Sequence, residues 1–302
     1  MMQSLIDYIN DEWSRDWVKH AKRVYGYARK NSPSRLFVSD FWSHIGSCSS
    51  ITWNYIHTHR YRSWDFPTVS CNPNITWEIV QANKYEDWDY TSLTDMPYQV
   101  VYDLTNNDVE VDFIGVSSHS RVTLEMIRAN PNKWDGHGLS SNPNVTREFF
   151  DSHPGLEWDF KTISTNPNLT SWDDVCAWDS MDYCDRHPGY AIAYNPNVTF
   201  ELVLNDIEEN GTDWGLSSLS SNPSTTPEII EAHPEVNWNY MDLSKNPSMS
   251  WKFVFKHVNK GWWWNDVLRN PMNGGKQKFV GNMLIKKGID KDLCKDILSL
   301  VT

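Results

Sequence analysis

The sequence predicts an all-α chain. It reads as a solenoid of about nine 23–29-residue two-helix repeats between helical N- and C-terminal caps. Three observations predict this: Asn-Pro pairs at near-constant spacing, two helix-start signals after each pair, and regular stops that keep every helix short.

The pairs stand at Asn72-Pro73, Asn142-Pro143, Asn166-Pro167, Asn195-Pro196, Asn222-Pro223, Asn246-Pro247 and Asn270-Pro271. Degenerate copies at Met96-Pro97 and His119-Ser120 complete the series, with steps of 24, 23, 23, 24, 29, 27, 24 and 24 residues. A worn copy precedes them around Ser49-Ser50. The chain therefore divides into an N-terminal helical cap (1–45), the repeat array (46–270) and a C-terminal helical cap (271–302).

Residues 3–30 carry Leu5, Ile9, Trp13, Trp17, Ala21 and Val24 at helical spacing. The stretch suits a cap that covers the first apolar face of an array; a membrane-surface helix is the alternative. Asn31-Ser32-Pro33 ends it, and Ser39-Asp40-Phe41 is a worn helix start.

Within a repeat, the first start is Ile75-Thr76-Trp77-Glu78-Ile79-Val80. Thr76 is the N-cap, its hydroxyl accepting from a free first-turn amide. Glu78 suits the dipole, and Ile75 with Val80 has the spacing of a hydrophobic staple. The second start is Trp158-Asp159-Phe160-Lys161-Thr162-Ile163, echoed at Trp88-Asp89 and Trp238-Asn239. Asn130, His153, His187 and His233, each before Pro, stop the first helix. Both helices should then be about two turns, on the order of 12 Å. Such helices are unstable alone, so the 17 tryptophans are expected to pack between repeats.

The leucine-rich repeat is the rival at this period. Its buried middle position would hold Pro67, His137, Lys161, Ser217 or Met241, and four of these five are wrong for a buried strand. Two units exceed the norm, with extra residues near 177–185 and 207–212. Insertions in solenoids emerge as loops, often on the binding face. Trp178, Met181 and Tyr183 are therefore the candidate partner contacts, against local core repair.

After the last pair, Asn273-Gly274-Gly275 breaks the pattern. Phe279, Val280, Met283 and Leu284 mark one helix; Gly288 ends it, and Asp290 opens another through Leu293, Ile297 and Leu300.

With Asn-Pro-Asn-Ile/Val-Thr and Trp-Asp-aromatic-x-x-Leu/Ile-Ser established, residues 46–270 resemble the short tandem-repeat proteins of giant DNA viruses. The resemblance implies a viral origin and no catalytic residue. Met96-Pro97, His119-Ser120 and Asn222-Pro223-Ser224 depart from its pattern.

Formal net charge is −12. Residues 1–45 carry +2, 46–251 carry −20 and 252–302 carry +6. So acidic a middle argues against nucleic-acid binding through the repeats; it fits a basic protein partner or a solvated surface. The basic C-terminus could dock on another copy's repeats, giving head-to-tail self-association. Five scattered cysteines lack a zinc spacing and are expected as reduced thiols, with Cys176 and Cys184 a conceivable pair. No signal peptide or transmembrane stretch is visible, so the expected location is virion or host cytoplasm, not secreted.

Histidines before Pro read as helix stops rather than metal ligands, and Asp after Trp as caps. Gly274-Gly275-Lys276 lacks phosphate-loop spacing. The expectation is a non-enzymatic scaffold for protein–protein interaction, without cofactor or metal. A viral structural or capsid-associated component comes first, with an intracellular adaptor that recruits host proteins as the alternative.

Overall fold

A computed structural model describes residues 2–37, 40–93, 116–119, 122–129, 133–163, 165–166, 168, 193–211, 214, 216–289 and 291–301. Among these the fold is all-α, with no strand. The chain divides into two compact units. One joins Met1–Ile75, Glu86–Trp88 and Thr225–Thr302; the other holds Thr76–Tyr85 and Asp89–Ser224.

In the first unit, α1 spans Met2–Asn31. Short helices follow at α2 (Phe41–Ile45), α3 (Trp53–Thr58) and α4 (Phe66–Ser70). The second unit holds α5 (Trp77–Ala82), α6 (Leu124–Ala129), α7 (Gly136–Ser140), α8 (Arg147–Ser152), α9 (Phe160–Ile163) and α10 (Phe200–Asn210). The first unit resumes with α11 (Pro227–Ala232), α12 (Tyr240–Leu243), α13 (Trp251–Lys256), α14 (Trp264–Val267), α15 (Asn273–Lys286) and α16 (Lys291–Val301).

The starts follow the expected chemistry. Thr52, Thr76, Thr146, Thr199 and Thr226 each accept from the backbone N–H three residues on. Asp40, Asp65 and Asp135 do the same in the second position. Each cap satisfies an orphan donor, which contributes about 1 kcal/mol. After Asp89 the chain makes a single 3-10 turn, Tyr90–Ser92, rather than an α-helix.

The stops are more than proline effects. His59 and His153 close α3 and α8 with ring Nδ1 at 2.9 and 2.8 Å from the carbonyls of Tyr55 and Phe149, four residues back. The same rings stack on those aromatic side chains at 4.2 and 4.0 Å. Trp64, Trp158, Trp238 and Trp262 then donate their indole N–H to the carbonyls of His59, His153, His233 and His257 at 2.8–3.0 Å. An indole that must be buried thereby keeps its hydrogen bond.

Three expectations need correction. Helices after Thr caps, such as α5 and α8, run six residues, and those after Asp or Asn caps only four or five. The second helices are single turns, and at their ends buried Ser side chains donate to the carbonyls four residues back, as Ser140 does to Gly136 and Ser244 to Tyr240. Their hydroxyls also accept from Asp159 N and Trp263 N in the following repeat copy.

The extra residues at 207–212 do not begin as a loop. They prolong α10 to 11 residues, and it ends where Gly211 takes φ 68°. Asn273-Gly274-Gly275 is not a break either but the first turn of α15. A Cβ at Gly274 would lie 2.0 Å from the carbonyl oxygen of Ser248, so glycine there permits close backbone approach.

The terminal segments meet each other. Ile9 of α1, Val280 and Leu284 of α15, and Ile297 of α16 form one buried cluster, with Leu5, Phe279 and Met283 against it. Farther along α1, Trp17 donates to the carbonyl of Asn270 at 2.9 Å, and its ring meets Trp251 edge-on. Trp13 donates to Ser50 Oγ at 2.8 Å, which donates to Pro271 O at 2.7 Å. His44 of α2 bonds the carbonyl of Asn265 in α14 at 2.9 Å. The first repeat copy is thus tied to the last, through α1 and directly. Fully buried Trp13 and Trp17 each contribute about 4–6 kcal/mol of transfer free energy as an upper bound.

Candidate interaction surface

The Asn of each Asn-Pro pair is the polar centre of its repeat copy. Asn72 is fully buried. Its Nδ2 donates to the carbonyls of Gly46, Cys48 and Ile51 at 2.8–3.0 Å, and its Oδ1 accepts from Asn74 N at 2.9 Å. Asn142 repeats this with Ser117, His119 and Val122, and Asn222 with Ala193, Asn195 and Val198. Asn270 donates to Ser244 and Asn246. Each amide joins one copy to the copy before it. Its two hydrogens and one acceptor explain why neither Asp nor Ser would serve. Sequence reasoning treated these Asn-Pro pairs as turns and missed the clamp. The available signal was that Asn, not merely Pro, marks all seven intact pairs.

The expected contacts Trp178, Met181 and Tyr183 lie outside the described residues, as do Cys176 and Cys184. The described surface offers a different aromatic group. Trp42 sits on α2, which Asp40 caps. Lys22 Nζ lies 4.5 Å from its ring and the Arg62 guanidinium 4.9 Å. Arg62 also covers Tyr61 at 4.6 Å, and Tyr61 is 72% exposed. Trp64 packs edge-on against Trp42 from the other helix start.

Neither Lys22 nor Arg62 faces a carboxylate among the described residues. Burial, and then the Arg62 charge, hold the Lys22 ammonium below its usual range. The arrangement joins two cations, without a carboxylate partner among the described residues, to the largely buried Trp42 ring and the exposed Tyr61 ring. Trp, Tyr and Arg are the residue types that dominate binding hot spots.

Elsewhere the basic C-terminal helix is partly neutralised within the chain. Lys278 meets Glu228 at 2.8 Å, and that pairing holds the Glu228 carboxyl below its usual range. Lys256 meets Glu231 at 2.7 Å. Cys48 and Cys71 are free thiols. Burial pushes Cys48 up to about 12, so it is inert at neutral pH.

Among the described residues, no three His, Cys, Asp or Glu side chains converge as metal ligands. No helix there is long and apolar enough to cross a membrane. No family model, curated protein or solved structure matches the chain.

Proposed function

We propose that the chain is a tandem array of about nine two-helix units that acts as a non-enzymatic scaffold for protein–protein interaction. The recurring Asn clamp supports the array. It recurs at the Asn-Pro position of the copies at Asn72, Asn142, Asn222 and Asn270, where the amide hydrogen-bonds to the stretch one repeat earlier. A viral structural or capsid-associated role extends the sequence resemblance, and recruitment of host proteins is the competing role.

The observation that carries the binding reading is the Lys22–Trp42–Arg62–Tyr61 group. Two cations there have no carboxylate partner among the described residues, and a partner with an acidic segment would supply one. The test is cross-linking from a photoreactive residue placed at Tyr61, in infected cells and in purified particles, against an Arg62→Ala control. A structural role predicts one cross-linked protein in particles, diminished by the control. An adaptor role predicts a host protein in cytosol instead. No cross-link that depends on Arg62 in either fraction would overturn the binding reading.

A further inference from the structure

A polar recess of about 250 Å3 lies where α1, the first repeat copy and the start of α15 converge, all within one unit. Asn10, Trp13, Thr52, Asn74, Asn273 and Lys276 contribute to its wall. We infer that this recess binds a phosphate-class oxyanion, with Lys276 supplying the charge and Asn273 an amide donor.

Lys276 is the main reason. It is half-buried, yet among the described residues it pairs with no carboxylate, and the charge interaction seen there is with the Cys48 thiol, which stays protonated at neutral pH. Burial holds its ammonium below the ordinary lysine range. A cation withdrawn from water without a counter-ion is costly, and the cost falls when an anion enters. Asp11 is the carboxylate hydrogen-bonded to the wall residue Thr52. It accepts from the Thr52 hydroxyl at 2.5 Å and from the Asn54 amide, and among the described residues it makes no ion pair with Lys276.

Two further features suit the same ligand. The Asn10 side chain has a buried oxygen without a hydrogen-bond partner. Half a turn of that amide presents its NH2 at the same place. Lys276 also stands in the first turn of a 14-residue helix that begins without a side-chain cap, and the helix dipole there favours negative charge. Lysine acts on phosphate as a point charge and needs no fork geometry. A cavity of this size holds one such ion and some of its water.

The recess stands apart from the scaffold reading and does not depend on it. Its test is calorimetric titration of the full chain with inorganic phosphate, at ionic strength matched by sodium chloride. Thermal unfolding in the same two buffers gives a second readout. Wild type should bind phosphate saturably and melt higher in it than in chloride. Lys276→Met should weaken binding about ten- to a hundredfold, the worth of one charge-assisted hydrogen bond, and lose the phosphate effect on melting. Lys278→Met, which removes the cation paired to Glu228, should leave binding unchanged. If Lys276→Met does not fold, Lys276→Gln serves in its place. The inference fails if wild type shows no saturable binding, if the Lys276 variant binds as wild type does, or if the Lys278 variant loses as much.

Discussion

The indole N–H of Trp17 reaches the carbonyl oxygen of Asn270 at 2.9 Å, across 253 residues of sequence. This bond lets the long N-terminal helix settle on the last repeat copy. Trp17→Phe keeps most of the packing but strands a buried carbonyl, and should cost about 1–3 kcal/mol. Trp17→Ala also opens a cavity and should cost about 3–5 kcal/mol. Urea unfolding followed by tryptophan fluorescence measures both. A Trp17→Phe variant as stable as wild type would mean that the bond contributes nothing beyond the ring.

The Asn clamp predicts an asymmetry within one turn. Asn142→Ala leaves three carbonyls of the preceding copy without their shared donor, and should cost about 2–4 kcal/mol. Asn142→Asp should be worse, because it buries a charge among carbonyl oxygens. Asn144→Ser, two residues on, should cost under about 1 kcal/mol. Ser224 already fills the equivalent position, its hydroxyl donating to Val198 O. Thermal melts of the three variants would expose a wrong ranking directly.

His44 makes the junction of first and last copies pH-dependent. Burial, more than the nearby Arg269 charge, lowers its pKa from the ordinary 6.5 despite its bond to Asn265 O. The unfolded chain therefore binds a proton there more readily than the folded chain. The His44 contribution is complete above pH 6.5 and declines as pH falls below it. His257 shifts the same way, first through burial. Urea midpoints should drop from about pH 7.5 to about pH 5.5, and less steeply in His44→Gln. An unchanged slope in that variant would refute the assignment.

Two glycines of α15 should respond in opposite directions. Gly274→Ala drives a methyl group into the Ser248 carbonyl and should cost more than about 2 kcal/mol. Gly281→Ala meets nothing within 4 Å and should stabilise by about 0.5–1 kcal/mol. Differential scanning calorimetry distinguishes them.

Much of this fold is local chemistry, and local chemistry can be read from a sequence. Thr76 and Thr146 cap where their hydroxyls predict, and Ile9, Trp13 and Trp17 turn inward as their spacing requires. What escaped reading is non-local. No periodicity reveals that Trp17 would find Asn270, because that bond depends on where two distant stretches arrive. Gly274-Gly275 signals a break in sequence, and only the neighbouring Ser248 carbonyl explains why glycine suits a helix there. The candidate surface was missed for the same reason. Lys22, Trp42 and Arg62 are unremarkable singly and acquire meaning only when α1 brings the lysine to the ring.

The tie between Trp17 and Asn270 also has a timetable. On the ribosome, α1 emerges before its partner stretch, which follows some 250 residues later, roughly 12–50 s at usual elongation rates. For that interval Trp13, Trp17 and Ile9 have no native surface from α15 or the last repeat copy. The nascent chain must shelter an oily ridge until α15 is made, so its yield in a cell should depend on chaperone supply more than its finished stability would imply.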